Sequence, residues 1–576
     1  MINQEIAGIF NKMAFILEGL DVPFKPRAYE KASEFIASLA EDLKDIYKKG
    51  GIKALEELPG VGKSMAKQIE EYIKTKKVRD FEDLKKQLPV DIEGLAAIEG
   101  LGPKKVRELY QKLKIRTVAA LEQAVKQKKI EKLAHFGVKS EANIKRGLEF
   151  AKKSAGRALL GYILPLAREL EKRLGAVPGV KKIVAAGSIR RWQETVGDID
   201  LLAVSEKPEK IMSAFVNLPE AEAVLARGPT RSAVRLKIGL DADLRVVPPS
   251  SFGAALQYFT GDKNHNIKIR EIAIKKGYKL NEYGLFKGAK IIACETEGEI
   301  YRKLGLQYME PEIRTDCGEI EAAKSGQLPQ LIPFGSLKGD LQTTTDWSDG
   351  ATSIEEMARA AIRLGLEYIA ITDHTKSLAM ARGLDEKRLA AQAREIDRLN
   401  KKLASEGKKF RILKSAEINI NKDGTLDIKD ETLEKLEVVS VAVHSAFRIS
   451  KEEMTKRIIR AIEHPLVDIL FHPTGRLINR REPYELDMER IIKAAQANKV
   501  ALEIDAFPDR LDLKDVYARQ AAAAGVKLAI DTDAHHPEHL QYAELGVAQA
   551  RRGWVVKNDV INTWPAEKLL RWCRKN

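Results

Sequence analysis

A glycine–serine pair placed nine residues ahead of two aspartates constrains this chain more than any other feature in it. Gly187-Ser188 follows the apolar run Ile183-Val184-Ala185-Ala186. After Arg190 and Arg191 comes Gly197-Asp198-Ile199-Asp200-Leu201. The apolar run predicts a strand that ends in a tight turn. In a strand, residues i and i+2 share a face, so Asp198 and Asp200 converge. Converging carboxylates hold divalent cations, and a Gly-Ser turn offers backbone N–H groups and a hydroxyl to phosphate oxygens. Two such metals suit an in-line phosphoryl displacement. A polar turn followed by two solvated aspartates is the bland alternative. It suits a bare Asp-x-Asp, but leaves the Gly-Ser element at this distance unexplained.

Further along, Val234–Ile238 and Ala242–Val247 alternate like strands of a mixed sheet, and Asp243 can bring a third carboxylate to the first two. Tyr258-Phe259-Thr260-Gly261 follows, with Asn266 and Arg270 on a helix-like segment; two aromatics in isolation would be ordinary core filling. Upstream, Leu58-Pro59-Gly60-Val61-Gly62-Lys63 and Ile98-Glu99-Gly100-Leu101-Gly102-Pro103-Lys104-Lys105 repeat one design, and Ala134–Lys139 is a poorer third copy. Glycines that admit a phosphate, a helix N-terminus behind them and a lysine beside them make a sequence-independent DNA contact. These pieces resemble the nucleotidyltransferase superfamily, and from residue 1 to about 315 they resemble a family X DNA polymerase.

The resemblance implies roles residue by residue. Asp198, Asp200 and Asp243 would bind two Mg²⁺ or Mn²⁺ and carry catalysis, with Asp243 helping to activate the primer 3′-hydroxyl. Gly187, Ser188 and Arg191 would meet the incoming triphosphate. Tyr258, Phe259 and Gly261 would pack against its sugar, Asn266 would contact the base or minor groove, and Arg270 would sense the template side. Gly60, Gly62, Lys63, Gly100, Gly102, Lys104 and Lys105 would grip DNA, with Lys31 on a 5′-phosphate. Relatives with lyase activity carry a lysine where this chain has Gln68, and an amide nitrogen forms no imine. Gap binding without efficient deoxyribose-phosphate lyase activity is expected.

Composition agrees with a polyanionic partner. The net charge is +15 with pI near 9.3, and residues 101–150 carry thirteen Lys/Arg against five Asp/Glu, a local patch. Cys294, Cys317 and Cys573 lie too far apart for a metal knuckle or a disulfide framework, which predicts a reduced, cytoplasmic and nucleoid-associated protein. No run has membrane-spanning length.

Seven of the nine histidines lie from His374 onward, so the two halves are expected to do different chemistry. From about 335, strand-like runs at Leu337–Gln342, Tyr368–Thr372, Phe410–Ala416, Val438–Val443, Asp468–His472, Val500–Ile504 and Val526–Asp531 alternate with helices. That predicts a (β/α)7 barrel. Ligand-type residues sit at the strands' C-terminal ends: His374, Glu417, His444, His472, Asp533 and His535, with Asp349 nearby. Imidazole with carboxylate suits Zn²⁺ or Mn²⁺. This part resembles the PHP (polymerase and histidinol phosphatase) domain, whose relatives give Mn²⁺-dependent 3′→5′ exonuclease and, in some, abasic-site endonuclease activity. Two departures stand out. Gln342 and Thr344 replace the usual His-x-His, which would empty or weaken one of three metal positions, and Asn419 stands where relatives often have an acid. By the family layout Glu417, His444 and His472 would hold a second metal, and Asp349, His374 and His535 a third.

The expected organisation is multidomain, α+β and α/β. An N-terminal helical domain spans 1–85, a second helix-hairpin-helix domain 86–155, the palm 156–250 and a nucleotide-selecting subdomain 251–315. A linker (316–334) and the PHP domain (335–576) follow. The expected activity is gap-filling DNA-directed DNA synthesis in repair by a monomer using gapped or primer–template DNA and dNTPs, with a barrel that is a weak nuclease or an inactive support. A template-independent nucleotidyltransferase and a non-catalytic DNA-binding scaffold are the rivals.

Overall fold

The computed structural model describes residues 2–39, 42–58, 60–96, 98, 101–133, 136–137, 140–142, 144–145, 147–148 and 156–573. Gly100 and most of the third hairpin candidate lie outside the described residues.

The front of the chain is helical and has two cores. Helices Ile2–Gly19, Lys25–Ser38, Leu43–Glu56 and Lys63–Thr75 pack around Ile6, Phe10, Met13 and Ile69. Helices Ile92–Ala96, Pro103–Leu113 and Val118–Lys126 enclose Leu95, Val106, Leu109 and Leu121. Gly62 and Gly102 are the extended residues that precede helices Lys63–Thr75 and Pro103–Leu113, and no side chain caps either helix. Their first N–H groups therefore face outward without a side-chain acceptor.

The palm follows. Strands β1 (Ala158–Leu159) and β3 (Thr195–Val196) form a small ribbon. The main sheet orders β2 (Val180–Ala185), β4 (Asp198–Ser205), β7 (Asp241–Val247), β6 (Arg231–Leu236) and β5 (Ala221–Arg227) in that sequence. Only the β4–β7 pair is parallel, which makes the sheet mixed as expected. Its buried face, with Ile199, Leu201, Val234 and Leu244, packs on helices Leu160–Gly175 and Pro208–Val216. Helices Phe252–Thr260 and Lys263–Lys275, the sheet of β8 (Lys279–Asn281), β9 (Gly284–Lys287) and β10 (Lys290–Ala293), and helix Glu297–Lys303 complete the polymerase-like half.

The barrel consists of β11 (Gly339–Thr343), β12 (Tyr368–Ile371) and β13 (Arg411–Lys414) in one parallel run. A second parallel run holds β14 (Glu417–Asn419), β15 (Ser440–Ala442), β16 (Ile469–Leu470), β17 (Ala501–Asp505) and β18 (Leu528–Asp531). The expected strand Phe410–Ala416 is broken at Ser415-Ala416. Its first half pairs with β12 and its second with β15, so β13 and β14 share one of seven positions. Parallel bridges His374–Glu417 and Thr343–Ala534 close the two seams. The expected strand Asp468–His472 shrinks to two residues.

Palm and barrel share a core. Leu160, Ile163 and Val196 cluster with Ala506, Leu511, Tyr542 and Leu545. A Cβ at Gly161 would lie 2.7 Å from Pro508 and 2.8 Å from Leu545, so glycine is what lets the palm helix seat there. The buried Glu194, four residues before Asp198, takes Arg476 Nη2 at 2.6 Å and Gln549 Nε2 at 2.8 Å from the barrel. Burial alone would raise the Glu194 pKa, but Arg476 holds it below the usual carboxylate range.

Candidate active sites

The first site is built by strand register. Parallel pairing places Asp198 opposite Asp241 and Asp200 opposite Asp243, so Asp198, Asp200 and Asp243 meet at one end of two adjacent strands. Burial, then the charges of Asp198 and Asp243, push the Asp200 pKa up to about 6. The Asp198 carboxyl is raised for the same reasons. Crowded carboxylates of this kind call for a cation. Asp243 meets Arg231 Nη2 at 3.1 Å; this partner, from β6, gives no signal in the sequence beyond strand alternation.

The Gly-Ser turn forms the short helix Gly187–Arg190 against this cluster. Gly187 has φ +55°, and a Cβ there would fall 2.1 Å from Asp200 Oδ2; only glycine lets turn and carboxylate approach so closely. Ser188 Oγ and Arg191 Nε are buried without a hydrogen-bond partner, as groups awaiting phosphate oxygens would be. Arg190 binds Glu297 at 2.6 Å and Arg314 binds the same carboxylate at 2.6 Å. Burial opposes ionisation of Glu297, but the two guanidinium groups bring its pKa down to about 2. The turn is thus tied to the subdomain behind it.

Tyr258 and Phe259 pack edge to face, with centroids 5.1 Å apart, and Arg245 lies over Phe259 at 4.6 Å. Gly261 (φ +70°) sits 3.1 Å, by its missing Cβ, from Arg191 Nη1, and Arg191 donates to the Thr260 carbonyl. Asn266 is committed internally: its Nδ2 donates to Tyr258 O at 2.7 Å and its Oδ1 accepts from Gln257 at 2.7 Å. In this state Asn266 holds the Tyr258 segment rather than offering its amide outward. Arg270, on the same helix, is half-buried.

The hairpin lysines divide. Lys63 is exposed at the start of its helix. Lys104 is paired with Asp21 at 2.7 Å, and Lys105 lies over Phe136 at 5.8 Å and 3.4 Å from Ser140 Oγ. Lys31 reaches across to the barrel and donates to the Asp349 carbonyl at 3.0 Å. Gln68 is buried, with Nε2 donating to Asp80 at 2.6 Å and contacting Tyr29 Oη at 3.0 Å. Lys67 next to it points to solvent.

The second site lies on the C-terminal rim of the barrel. Glu417 is its centre: His472 Nε2 stands 2.8 Å from Oε1, His444 Nε2 2.9 Å from Oε1, and His374 Nδ1 3.1 Å from Oε2. His374 Nε2 is 3.6 Å and His535 Nε2 3.8 Å from Asp349 Oδ1. Among the described residues, two groups have metal-holding spacing, His374 with Glu417 and His444, and Asp349 with His374 and His535. Burial would neutralise Glu417, but His374 and His444 hold it well below the usual range. Burial would likewise depress His374, yet Glu417 and Asp349 raise its pKa to about 9. Burial keeps His444 low, so the proton resides on His374, between two carboxylates. His472 (φ +28°) and Asp533 (φ +50°) adopt left-handed backbone, strain of the kind that collects at functional sites.

Gln342 and Thr344 are fully buried, and the Gln342 Oε1 and Nε2 and Thr344 Oγ1 atoms make no hydrogen bond. Their polar atoms point into the rim as the expected histidines would, with poor ligand chemistry. The donor set fits two metals and not three. Asn419 is buried, and its backbone N–H is satisfied by Thr375 Oγ1 and Asp427.

Known proteins match this layout. A helix-hairpin-helix domain profile matches residues 1–78 and a SAM-like helix-hairpin-helix tandem profile 52–114 and 92–149. The DNA polymerase beta thumb matches 255–315 and the PHP domain 340–506. Hairpins, a polymerase β-type thumb and a PHP barrel in one chain define a nucleotidyltransferase joined to a metal phosphoesterase fold. The DNA polymerase/3′-5′ exonuclease PolX of Bacillus subtilis (strain 168) is 38% identical over 560 residues, 96% of each chain; this protein belongs to the same family, the bacterial family X DNA polymerases with a C-terminal PHP domain. DNA polymerase lambda of Arabidopsis thaliana is 26% identical over 352 residues, 54% of this chain and 62% of its own length. A probable phosphatase of Thermoanaerobacter sp. (strain X514) is 31% identical over 235 residues, 39% of this chain and 89% of its own. No helix among the described residues is long and apolar enough to cross a membrane.

Proposed function

We propose that the chain is a monomeric DNA-directed DNA polymerase that fills short gaps in repair, using gapped or primer–template DNA and dNTPs. The observation that carries this is the register that sets Asp200 beside Asp243 and under Gly187. Two Mg²⁺ or Mn²⁺ ions held there supply charge neutralisation for an in-line displacement. Asp243 releases Arg231 to face the primer 3′-hydroxyl. Ser188 and Arg191 hold the triphosphate, and Tyr258, Phe259 and Gly261 shape the sugar pocket, with Asn266 fixing that segment and Arg270 behind it. The exposed Lys63 and the Gly62 turn grip backbone phosphate. Gln68, closed into its network with Tyr29 and Asp80, leaves the protein without efficient lyase activity.

The barrel is a weak Mn²⁺- or Zn²⁺-dependent 3′→5′ exonuclease or abasic-site endonuclease. Seven converging ligand residues support this reading, and Gln342 and Thr344 limit it. A 5′-labelled primer–template with Mn²⁺ and no dNTPs tests it. Shortening of the primer by the native protein and the Asp198→Ala variant, abolished in His472→Ala, is the expected result. An intact primer that dNTPs still extend would make the barrel a support for the palm.

A further inference from the structure

The helix Lys25–Ser38 belongs to the N-terminal domain, yet its basic face lies on the mouth of the barrel site. Arg27 donates to the Met380 carbonyl, and its Nη2 stands 3.7 Å from Asp349 Oδ2. Lys31 Nζ donates to Asp349 O at 3.0 Å. Phe35 packs edge-on against His536, with centroids 4.5 Å apart. Asp349 is one of the candidate metal ligands, so a second domain reaches a ligand residue directly.

Helix and rim together enclose a cavity of about 340 Å³. On one side stand Arg27, Lys31 and the barrel's Arg510, beside Asp349, Asp533 and His535; on the other are the apolar Phe35, Leu477 and Phe507. Arg510 Nε is 3.4 Å from Asp533 Oδ2 and 3.2 Å from Asp505 Oδ2, which fixes its guanidinium at the rim. An ammonium has three donors and a guanidinium five. The contacts described use one donor of Lys31, and Arg27 keeps further N–H groups along its planar fork. Three cations beside metal-type ligands make a seat for a phosphate. The apolar wall gives room for the nucleoside attached to it.

We infer that Arg27 and Lys31 complete the barrel site from the N-terminal domain, and that the composite cavity binds a nucleoside monophosphate unit, the end of a DNA strand presented for cleavage. Lys31 thereby serves the barrel in this arrangement rather than a downstream 5′-phosphate at the gap. The inference rests on the reading of the barrel as a metal-dependent phosphoesterase. It explains why a DNA-binding domain touches the rim. Arg27 and Lys31 act as positioning residues that hold the phosphate while the barrel ligands do the chemistry.

The full-length protein with Mn²⁺ provides the test. Bound manganese is counted by electron paramagnetic resonance, and thymidine 5′-monophosphate and inorganic phosphate are each titrated by equilibrium dialysis. The native chain is compared with Arg27→Ala/Lys31→Ala and with Lys31→Arg. The expected result is unchanged manganese with thymidine 5′-monophosphate binding weakened roughly ten- to hundredfold in the double variant, retained in Lys31→Arg, and tighter than inorganic phosphate in the native chain. Nuclease KM should rise more than kcat falls. Equal nucleotide binding by native and double variant, with manganese still bound, overturns the inference and leaves the phosphoesterase reading intact. A faster nuclease in the double variant also overturns it, because the helix would then be a lid. A native chain that binds no manganese dependent on His472 removes the phosphoesterase reading itself, and this inference with it.

Discussion

The palm and the barrel both gather carboxylates at the ends of parallel strands, but they tolerate loss differently. In the palm, three aspartates come from two strands whose register is one continuous ladder. Each aspartate shifts the charge state of the others, and the turn that meets the phosphates touches Asp200 through a missing Cβ. In the barrel each strand end contributes one or two ligands. Losing the pair on β11 leaves the Glu417 cluster standing. A site assembled from one ladder fails as a unit; a site assembled strand by strand fails in steps.

The largest effect should come from breaking the palm. Asp243→Ala removes a carboxylate shared by both metal positions. Several kcal/mol of charge stabilisation is lost, so primer extension should fall by about three orders of magnitude or more. Mn²⁺-dependent primer shortening should persist. Single-turnover extension within about tenfold of native would show that the trio is not the polymerase centre, and that a DNA-binding scaffold is the better account. Gly187→Ala should come close to the same loss, since its Cβ would overlap Asp200 Oδ2.

Next comes the joint between the two sites. Arg476→Ala leaves Glu194 buried with Gln549 as its remaining barrel partner. Breaking a buried pair from one side costs about 3–5 kcal/mol. The unfolding transition of the palm–barrel unit should move down accordingly in denaturant. Because Glu194 precedes Thr195 and the Asp198 strand, KM for dNTP should rise too. If KM holds while stability falls, the barrel supports the palm without orienting its nucleotide turn.

The stepwise character of the barrel is sharpened by repair rather than damage. Gln342→His with Thr344→His would turn three orphaned polar atoms into two imidazoles at the position where the fold expects them. One additional manganese per chain, and nuclease activity raised about ten- to a hundredfold, are expected. No extra metal would mean that the rim has closed around the substitutions.

Much of this was legible in the sequence, and what was not has a common cause. The Gly-Ser turn, Asp198, Asp200 and Asp243 stood out because strand period two is local and parallel register carries it across. The histidines at strand ends were readable because barrel geometry gathers strand ends at one rim. Contacts between distant segments leave no period. Nothing in the hairpin lysines foretold that Lys104 pairs with Asp21, that Lys31 crosses to Asp349, or that Glu194 takes Arg476. The break of the strand Phe410–Ala416 was hidden for the same reason: Ser415-Ala416 is a bend set by which neighbours β13 and β14 pair with. Asn266 read as an outward contact because its choice of Tyr258 O depends on a helix end eight residues away.

The smallest effect is a pH signature that separates the two sites without touching catalysis. Burial and two neighbouring carboxylates raise Asp200 to about 6 in the folded protein, above the ordinary aspartate value of about 3.9 in the unfolded chain. Between those values the folded state binds the extra proton, so stability without metal falls as pH rises through that window and levels off above it. Metal ions prefer the ionised carboxylates, so added Mg²⁺ should flatten the slope and stabilise most above pH 6. Asp200→Asn removes the titrating group and should abolish the slope in metal-free protein. Thermal unfolding of the native chain and this variant from pH 4 to 7, with and without Mg²⁺, measures it. Glu417 titrates in the opposite sense, since His374 and His444 hold it low, so its contribution is lost only as pH falls. A palm slope that survives Asp200→Asn would mean that the proton sits elsewhere, and that the three aspartates are not the coupled unit the register makes them.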